Sequence, residues 1–578
     1  MTRDDDLHIR LGRVRDRGRA RRAKPFFAQA LAAAEKAGGL KRRSGSGVRS
    51  STFGRGRTAS FSADRMKTDR ARGAMVKARV VRHGIKRAPL SAHLEYLRRE
   101  GVTKDNGPGR IFDAEHDSAA HRAFADRCAG DRHYFRFIVS PDDAAQLSDL
   151  KAFTRDLMTQ AEQDLGTKLD WVAVDHWNTE HPHLHIIVRG VTDEGCDLVI
   201  SRDYISRGLR ARAGHLVTLE LGPPSDLEVR LRLDAEIDAD RWTRLDRALA
   251  AKATQNDRII DLQPEADPAG ETRSALVGRM RKLERLGLAQ PTGPCRWYLS
   301  ERTEPTLRRL GERNDIIKRI HKGLAELHIE RSLSDYVLEE GDPSQPIIGR
   351  LVARGLDDEL RGSAYAVIDG IDGRAHHLRL QDLDATGDGA PGSIVELRRF
   401  KDAMGRERTA IAVRSDLPLA AQVDATGATW LDRQLLARQP TTLSLGGFGF
   451  EVQQAMNARA GHLIRENLAH QEGQRLVFVR DLLDTLRRRE LDQAAARVTA
   501  DSGLPYRPAA EGDVINGVYR QRLNLASGRF AMIDDGLGFS LVPWTPSLER
   551  HISREVLGIA RVGRVEWTFA KQRGLSMG

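Results

Sequence analysis

A histidine-rich segment sets the chemistry that this chain can do. In Asp175-His176-Trp177-Asn178-Thr179-Glu180-His181-Pro182-His183-Leu184-His185-Ile186-Ile187-Val188, the last residues form an apolar run that reads as a β-strand. Alternate side chains of a strand share a face, so His183 and His185 project together while Leu184, Ile186 and Val188 point the other way. Trp171 to Asp175 reads as a preceding strand, and a short return through Asn178 to Pro182 brings His176 beside the pair. Three imidazoles on a rigid sheet make an open site for a divalent cation. His181 falls on the face of His183 and is a further ligand or a hydrogen-bond donor to one. A cation held there would polarise a bound oxygen and offset negative charge that builds on it.

His176, His183 and His185, with Leu184 between the last two, resemble the third motif of the plasmid relaxases. These are HUH endonucleases that nick DNA during conjugative transfer, and the segment is similar to their branch containing the T-DNA border nuclease. Two positions depart from the pattern: Asn178 stands where Asp is frequent, and Arg189 where Asn commonly follows the strand. The resemblance implies an antiparallel sheet with flanking helices, bound Mg2+ or Mn2+, and Asn178 and Arg189 near ligands and DNA respectively. It also implies a tyrosine nucleophile that forms a 5′-phosphotyrosyl link and later rejoins the strand without a nucleotide cofactor.

Of the eight tyrosines, Tyr96 best fits that role. Ser91 can cap and Gly101 can end a short helix on which Leu90, Leu94 and Leu97 form one apolar stripe, with Tyr96 well off it. The segment follows an apparent strand, Val76 to Val81, and resembles the family's first motif, in which Tyr-Leu precedes basic residues; Arg98 and Arg99 would then meet phosphates. A phenol titrates near about 10 and needs activation at neutral pH. Asp175 is the candidate for orienting a histidine or accepting the proton; its alternative is a strand-end Asp in a turn. Tyr204 is the second candidate nucleophile, and Tyr134 reads as a strand residue.

The elements that must position these groups are legible between them. His133 to Val139 is an apolar strand, Ser140-Pro141-Asp142-Asp143 signals a helix start, and Leu147, Leu150, Leu157, Ala161 and Leu165 recur at helical spacing up to Gly166. Ser140 to Asp143 also falls where the family's second motif touches DNA near the nick. A further helix is expected from Tyr204 through Arg212.

Downstream, Thr272 to Leu286 reads as a helix with Leu276, Met280 and Leu283 inward and Arg273, Arg279, Arg281, Lys282 and Arg285 outward. Gly287 ends it, and Cys295 to Leu299 returns as a short strand. Helix and hairpin resemble the recognition helix and wing of a winged helix-turn-helix, with Arg279, Arg281, Lys282 and Arg285 as duplex contacts. Residues 347 to 415 and 512 to 570 alternate short β-rich runs with turns. Ser363-Ala364-Tyr365-Ala366-Val367-Ile368-Asp369 and Gly528-Arg529-Phe530-Ala531-Met532-Ile533-Asp534 look alike, so two small barrels are expected. Residues 428 to 500 favour helix. His376-His377 does not chelate, because adjacent strand residues face opposite ways.

The net charge of +12 is unevenly spread. Residues 1 to 90 hold 25 Lys or Arg against 7 Asp or Glu, a net of +18, which leaves −6 for the rest. Through about residue 75 the chain is rich in Gly and Ser with few apolar runs, so a basic arm, largely disordered until it meets a polyanion, is expected. No apolar run is long enough to span a bilayer, and no secretory signal is visible. Three scattered cysteines fit a reducing cytoplasm and exclude a disulfide framework.

The expected organisation is a multidomain α+β chain. A basic arm (1–75) precedes an HUH-type nuclease domain (76–255), a winged-helix-like domain (256–340), a small β-barrel-like domain (341–420), a helical segment (421–505) and a β-rich C-terminal domain (506–578). The expected activity is site- and strand-specific nicking at an origin of transfer, on single-stranded and duplex DNA, with accessory mobilisation or coupling proteins as further partners and no membrane insertion. A rolling-circle replication initiator is the nearest rival, although such proteins commonly carry the tyrosine after the His-x-His strand. A non-enzymatic DNA-binding regulator with a structural metal site is the rival from another class.

Overall fold

A computed structural model describes residues 54–64, 71–82, 90–98, 103–104, 107–177, 182–264, 270–338, 346–358, 360–402, 404–439, 441–473, 475–561 and 563–569. The chain is a mixed α+β protein whose contacts divide it into two units, Met1–Asp234 and Ala235–Gly578. No helix among the described residues is long and apolar enough to cross a membrane.

In the first unit, period-two alternation builds a sheet that is covered on both sides. Its strands are β1 (Ala74–Arg82), β2 (His133–Pro141), β3 (Trp171–His176) and β4 (His183–Arg189), all antiparallel in the order β1-β2-β4-β3. One face, with Phe135, Phe137, Val139, Trp171, Ala173, Leu184, Ile186 and Val188, packs on two helices. These are α4 (Leu150–Leu165) and α5 (Leu209–Leu221). The other face, with Val81, Tyr134, Val172, Val174 and Ile187, packs on α2 (Leu90–Leu97) and α3 (His121–Cys128). The expected stripe of Leu90, Leu94 and Leu97 is the buried face of α2.

Two expectations for this unit change. The arm expected through residue 75 includes α1 (Arg57–Asp64), and Arg55 beside it bridges to Ile200 while its guanidinium caps Leu165 and Gly166 carbonyls. The helix expected at Ser140 to Asp143 starts instead at Leu150, where the Asp149 carboxylate accepts from the Lys151 amide at 2.8 Å. Pro141 stays in the ladder opposite Ala74, and Asp142 and Asp143 are engaged by Gly73, Arg72 and Arg232. The helix signal was therefore satisfied by strand partners.

The second unit opens with α6 (Asp226–Asp238, which begins in the first unit), α7 (Arg244–Gln255), β5 (Ile259–Asp261), α8 (Gly270–Arg285), β6 (Ala289–Gly293), β7 (Arg296–Leu299) and α9 (Thr303–Glu326). The small sheet has the order β5-β7-β6. A larger sheet follows, from β8 (Tyr336–Val337), β9 (Ile348–Asp358), β10 (Ser363–Gly370), β11 (Ala375–Leu380), β12 (Ile394–Lys401) and β13 (Glu407–Ser415). Next come α10 (Leu419–Val423), α11 (Trp430–Leu435), α12 (Gly447–Arg465), β14 (Ala469–Glu472), β15 (Arg475–Phe478) and α13 (Leu482–Ser502). A five-stranded sheet closes the chain: β16 (Val514–Leu525), β17 (Gly528–Asp534), β18 (Phe539–Pro543), β19 (Glu555–Arg561) and β20 (Arg564–Thr568). The segment expected to be helical thus contains a β-hairpin, β14–β15, too short and polar for its alternation to stand out.

His377 is buried in this unit and stacks on Tyr365 with ring centroids 5.5 Å apart. Burial first, then the nearby Arg319, holds its pKa down to about 4 against 6.5 in an unstructured chain. The unfolded chain therefore takes up a proton between these values that the folded unit resists, and stability falls as pH drops through this window. The contribution reaches about 3 kcal/mol below pH 4. Urea unfolding followed at successive pH values should show this slope, and His377→Phe should flatten it; an equal slope in the variant would remove His377 as its cause.

Candidate active site

The β3–β4 register sets the geometry of the histidines. His176 pairs directly with His183 across the ladder, and His185, two residues on, pairs with Val174 on one side and Ile138 on the other. All three rings lie on the face that packs against α2 and α3, since Val172, Val174 and Ile187 of the same parity belong to that core. They are buried, with one nitrogen from each lying within 4.8 Å of the others. His183 Nε2 and His185 Nε2 are 3.2 Å apart. With metal–nitrogen bonds of about 2.1 Å, that separation corresponds to an angle of about 100° at the metal, between octahedral and tetrahedral values. Three convergent imidazoles at this spacing fit a divalent ion.

The third ring is tied to the helix that carries the candidate nucleophile. His176 Nε2 lies 3.0 Å from the Leu97 carbonyl oxygen. A carbonyl only accepts, so Nε2 carries the proton and Nδ1 carries the lone pair that a cation needs. Leu97 is the last residue of α2, and Tyr96 precedes it with its Cα about 3.8 Å away. Tyr96 is half-buried at the margin of the core formed by Leu90, Leu94, Leu97 and Val174. Tyr134 and Tyr204, the other tyrosines of the first unit, are 3% and 2% exposed. The Tyr204 hydroxyl donates to Asp164 at 2.9 Å, and burial pushes its pKa far up. That removes Tyr204 as a nucleophile.

Other expected site residues are placed differently. Asp175 points to the opposite face of β3 from His176, and its carboxylate accepts the Trp177 indole N–H at 2.6 Å, so it orients no histidine of the triad. Arg189 stands at the far end of β4 from His183, about 20 Å along the strand, where Asp131 holds it at 2.7 and 3.0 Å. It is a structural ion pair and not a contact at the scissile phosphate. Arg98 is 41% exposed beside Glu95, whose pKa is lowered chiefly by the His121 ring at 2.9 Å. Arg99, Asn178 and His181 lie outside the described residues.

In the second unit, Arg279 does not face outward. It is fully buried and bidentate to Asp246, because α8 turns that position toward α7; its expected DNA contact is withdrawn. Arg281 and Arg285 are exposed, and Lys282 is half-buried at 3.0 Å from Asp240.

Sequence reading missed a basic track on the histidine face. Met75, Lys77 and Arg79 of β1 alternate with the buried Ala74 and Val76, and Lys77 pairs with Ile138, which pairs with His185. Arg79 pairs with Arg136 on the same face. Lys77 is therefore two strands, about 10 Å, from the His185 strand. The alternation in Ala74-Met75-Val76-Lys77-Ala78-Arg79 was the available signal.

Residues 98–211 match the family described as "Relaxase: MobA/VirD2-like, nuclease domain", a segment that contains all three histidines and begins just after Tyr96. Residues 276–407 and 399–576 match the family described as "Protein of unknown function (DUF3363)", and together they cover more than half of the 578-residue chain. The chain is a DUF3363 protein. No curated protein and no solved structure gives a match to it. The DUF3363 protein thus joins a segment that matches a relaxase nuclease-domain model to the region that defines its own family.

If the triad holds a divalent ion, added Mn2+ should raise the melting of the first unit, by about 2.7 kcal/mol at one hundred times the dissociation constant. His183→Ala combined with His185→Ala should abolish that increment in differential scanning fluorimetry. An undiminished increment in the double variant would place the ion elsewhere.

Proposed function

We propose that this protein is a relaxase that nicks one strand at an origin of transfer, with Tyr96 as nucleophile and His176, His183 and His185 as ligands of Mg2+ or Mn2+. The observation that carries the reading is the hydrogen bond from His176 to the Leu97 carbonyl, which joins the three-histidine site to the turn that bears Tyr96. The family match to a MobA/VirD2-like nuclease domain supports the reaction class. A bound divalent ion supplies charge to a non-bridging phosphate oxygen.

The residues do the remainder. The Tyr96 oxygen attacks phosphorus, the bond to the 3′ oxygen breaks, and that oxygen leaves as a 3′-hydroxyl after taking a proton. The product is a 5′-phosphotyrosyl adduct, and attack by a 3′-hydroxyl reverses the step and rejoins the strand. Lys77, Arg79 and Arg136 line a path for the single strand toward His185, by charge and without reading sequence.

The beginning of the second unit supports a duplex-binding role. The strand order β5-β7-β6 with α8 before the hairpin resembles a winged helix, and α8 exposes Arg281 and Arg285. We assign it to duplex beside the nick. Tyr96, which precedes the His-x-His strand, favours a relaxase over a rolling-circle initiator.

An oriented single-stranded oligonucleotide carrying the element's own transfer origin, incubated with Mn2+, should give a covalent protein–DNA adduct that mass spectrometry maps to Tyr96. Tyr96→Phe should lose the adduct while keeping oligonucleotide affinity. An adduct retained by Tyr96→Phe would reassign the nucleophile, and no adduct with any origin sequence would favour the regulator.

A further inference from the structure

The buried Arg279 has a counterpart. Its guanidinium meets both oxygens of Asp246 at 2.9 Å and the carbonyls of Ile237, Ala239 and Arg241 at 2.6 to 3.0 Å. Arg459 on α12 meets both oxygens of Asp432 at 2.8 and 2.9 Å and the carbonyls of Val423, Ala425 and Gly427 at 2.5 to 3.1 Å. In each case the carbonyls come from residues nine, seven and five positions before the aspartate. Each aspartate also closes a capping box, with Thr243 and with Thr429. Leu283, Leu288 and Ala289 after Arg279 are buried, as are Leu463, Leu468 and Ala469 at the same distances after Arg459.

The correspondence continues along the chain. Each helix is followed by a short antiparallel hairpin, then by a long helix, α9 or α13, then by a sheet. Those sheets have the orders β13-β12-β9-β10-β11 and β20-β19-β16-β17-β18, the same when read by position, with β8 added to the first. Gly349 and Gly517 occupy equivalent close crossings: a Cβ at either would stand 2.2 or 2.4 Å from the carbonyl oxygen of Asp369 or Asp534. A five-bond buried network and a strand order shared throughout do not arise from two unrelated segments. The second unit is a tandem repeat of one helix-hairpin-helix-sheet module.

The copies differ where they meet solvent. At the positions of Arg281 and Arg285 the second copy carries Gly461 and Arg465; earlier on the helix, at the positions of Arg273, Ser274 and Val277, α12 exposes Gln453, Gln454 and Asn457 on one face continued by Gly461, and the hairpin carries Arg475. A Cβ at Gly461 would meet only the Arg465 guanidinium, at 3.7 Å, so this part of the helix face carries no side chain. Asn and Gln amides pair with the N6 and N7 edge of adenine in the major groove, and a helix stripped of bulk there can lie close to the bases. Arg475 on the hairpin suits a flanking phosphate.

We propose that α12 and the β14–β15 hairpin form a second duplex-DNA-binding surface, which reads base edges while the α8 copy anchors phosphates. This rests on the reading of α8 as a duplex-contacting helix, and the test separates the two. The full chain is used to select from a random-sequence duplex library, and affinity is then measured for the selected duplex and an unrelated one. Wild type should select one block of bases, containing adenines. The triple variant Gln453→Ala, Gln454→Ala, Asn457→Ala should lose that block and about ten-fold or more in affinity for the selected duplex, with affinity for the unrelated duplex unchanged. Arg281→Ala with Arg285→Ala should weaken both duplexes alike and lower the salt slope by about 2. Unchanged selection and affinity in the triple variant would overturn the proposal. If the arginine double variant still responds, the reading of α8 survives; if it too is silent, that reading falls independently.

Discussion

The antiparallel pairing of β3 with β4 is the constraint from which the candidate site follows. Opposing His176 to His183 fixes one contact across the ladder, and alternation then places His185 on the same face. A one-residue slip would send His183 and His185 into the α4 and α5 layer and bring Leu184 and Ile186 toward α2. The register is held from both sides, because Leu184, Ile186 and Val188 fill one core and Val172, Val174 and Ile187 another. Hydrophobic burial thus does the work of aiming the imidazoles, at about 25 cal/mol for each Å² of apolar surface removed from water. The three imidazoles stand on a buried part of the first unit.

That arrangement also explains why the two faces of the sheet differ in use. The α4 and α5 face is closed by apolar helices along its length. Among the described residues, the α2 and α3 face also carries Lys77, Arg79 and Arg136 of β1 and β2.

Much of this was legible in the sequence, and what was missed has physical reasons. Period-two and helical patterns gave β1 to β4, α2 and the three histidines with their common face, because those elements are amphipathic with a clear sign. Asp175 was misjudged because proximity in sequence to His176 is opposition in a strand. Arg189 and Arg279 were misjudged because a charged side chain reads as solvent-facing unless its carboxylate partner is seen, and Asp131 and Asp246 lie 58 and 33 residues away. The helix start moved from Ser140 to Leu150 because capping residues serve a strand end equally well. The likeness of residues 363–369 to 528–534 was visible, yet the larger repeat around it was not, since its shared residues are few and buried.

The bond between His176 and the Leu97 carbonyl has a thermodynamic consequence. It makes the end of α2 a sensor of the neighbouring imidazole, and free-energy linkage runs in both directions. Any force that pulls the Tyr96 turn away from the sheet must loosen that ring, and whatever steadies the ring must in equal measure steady the turn. On the function proposed above, nucleophile placement and ion affinity are therefore not separately adjustable.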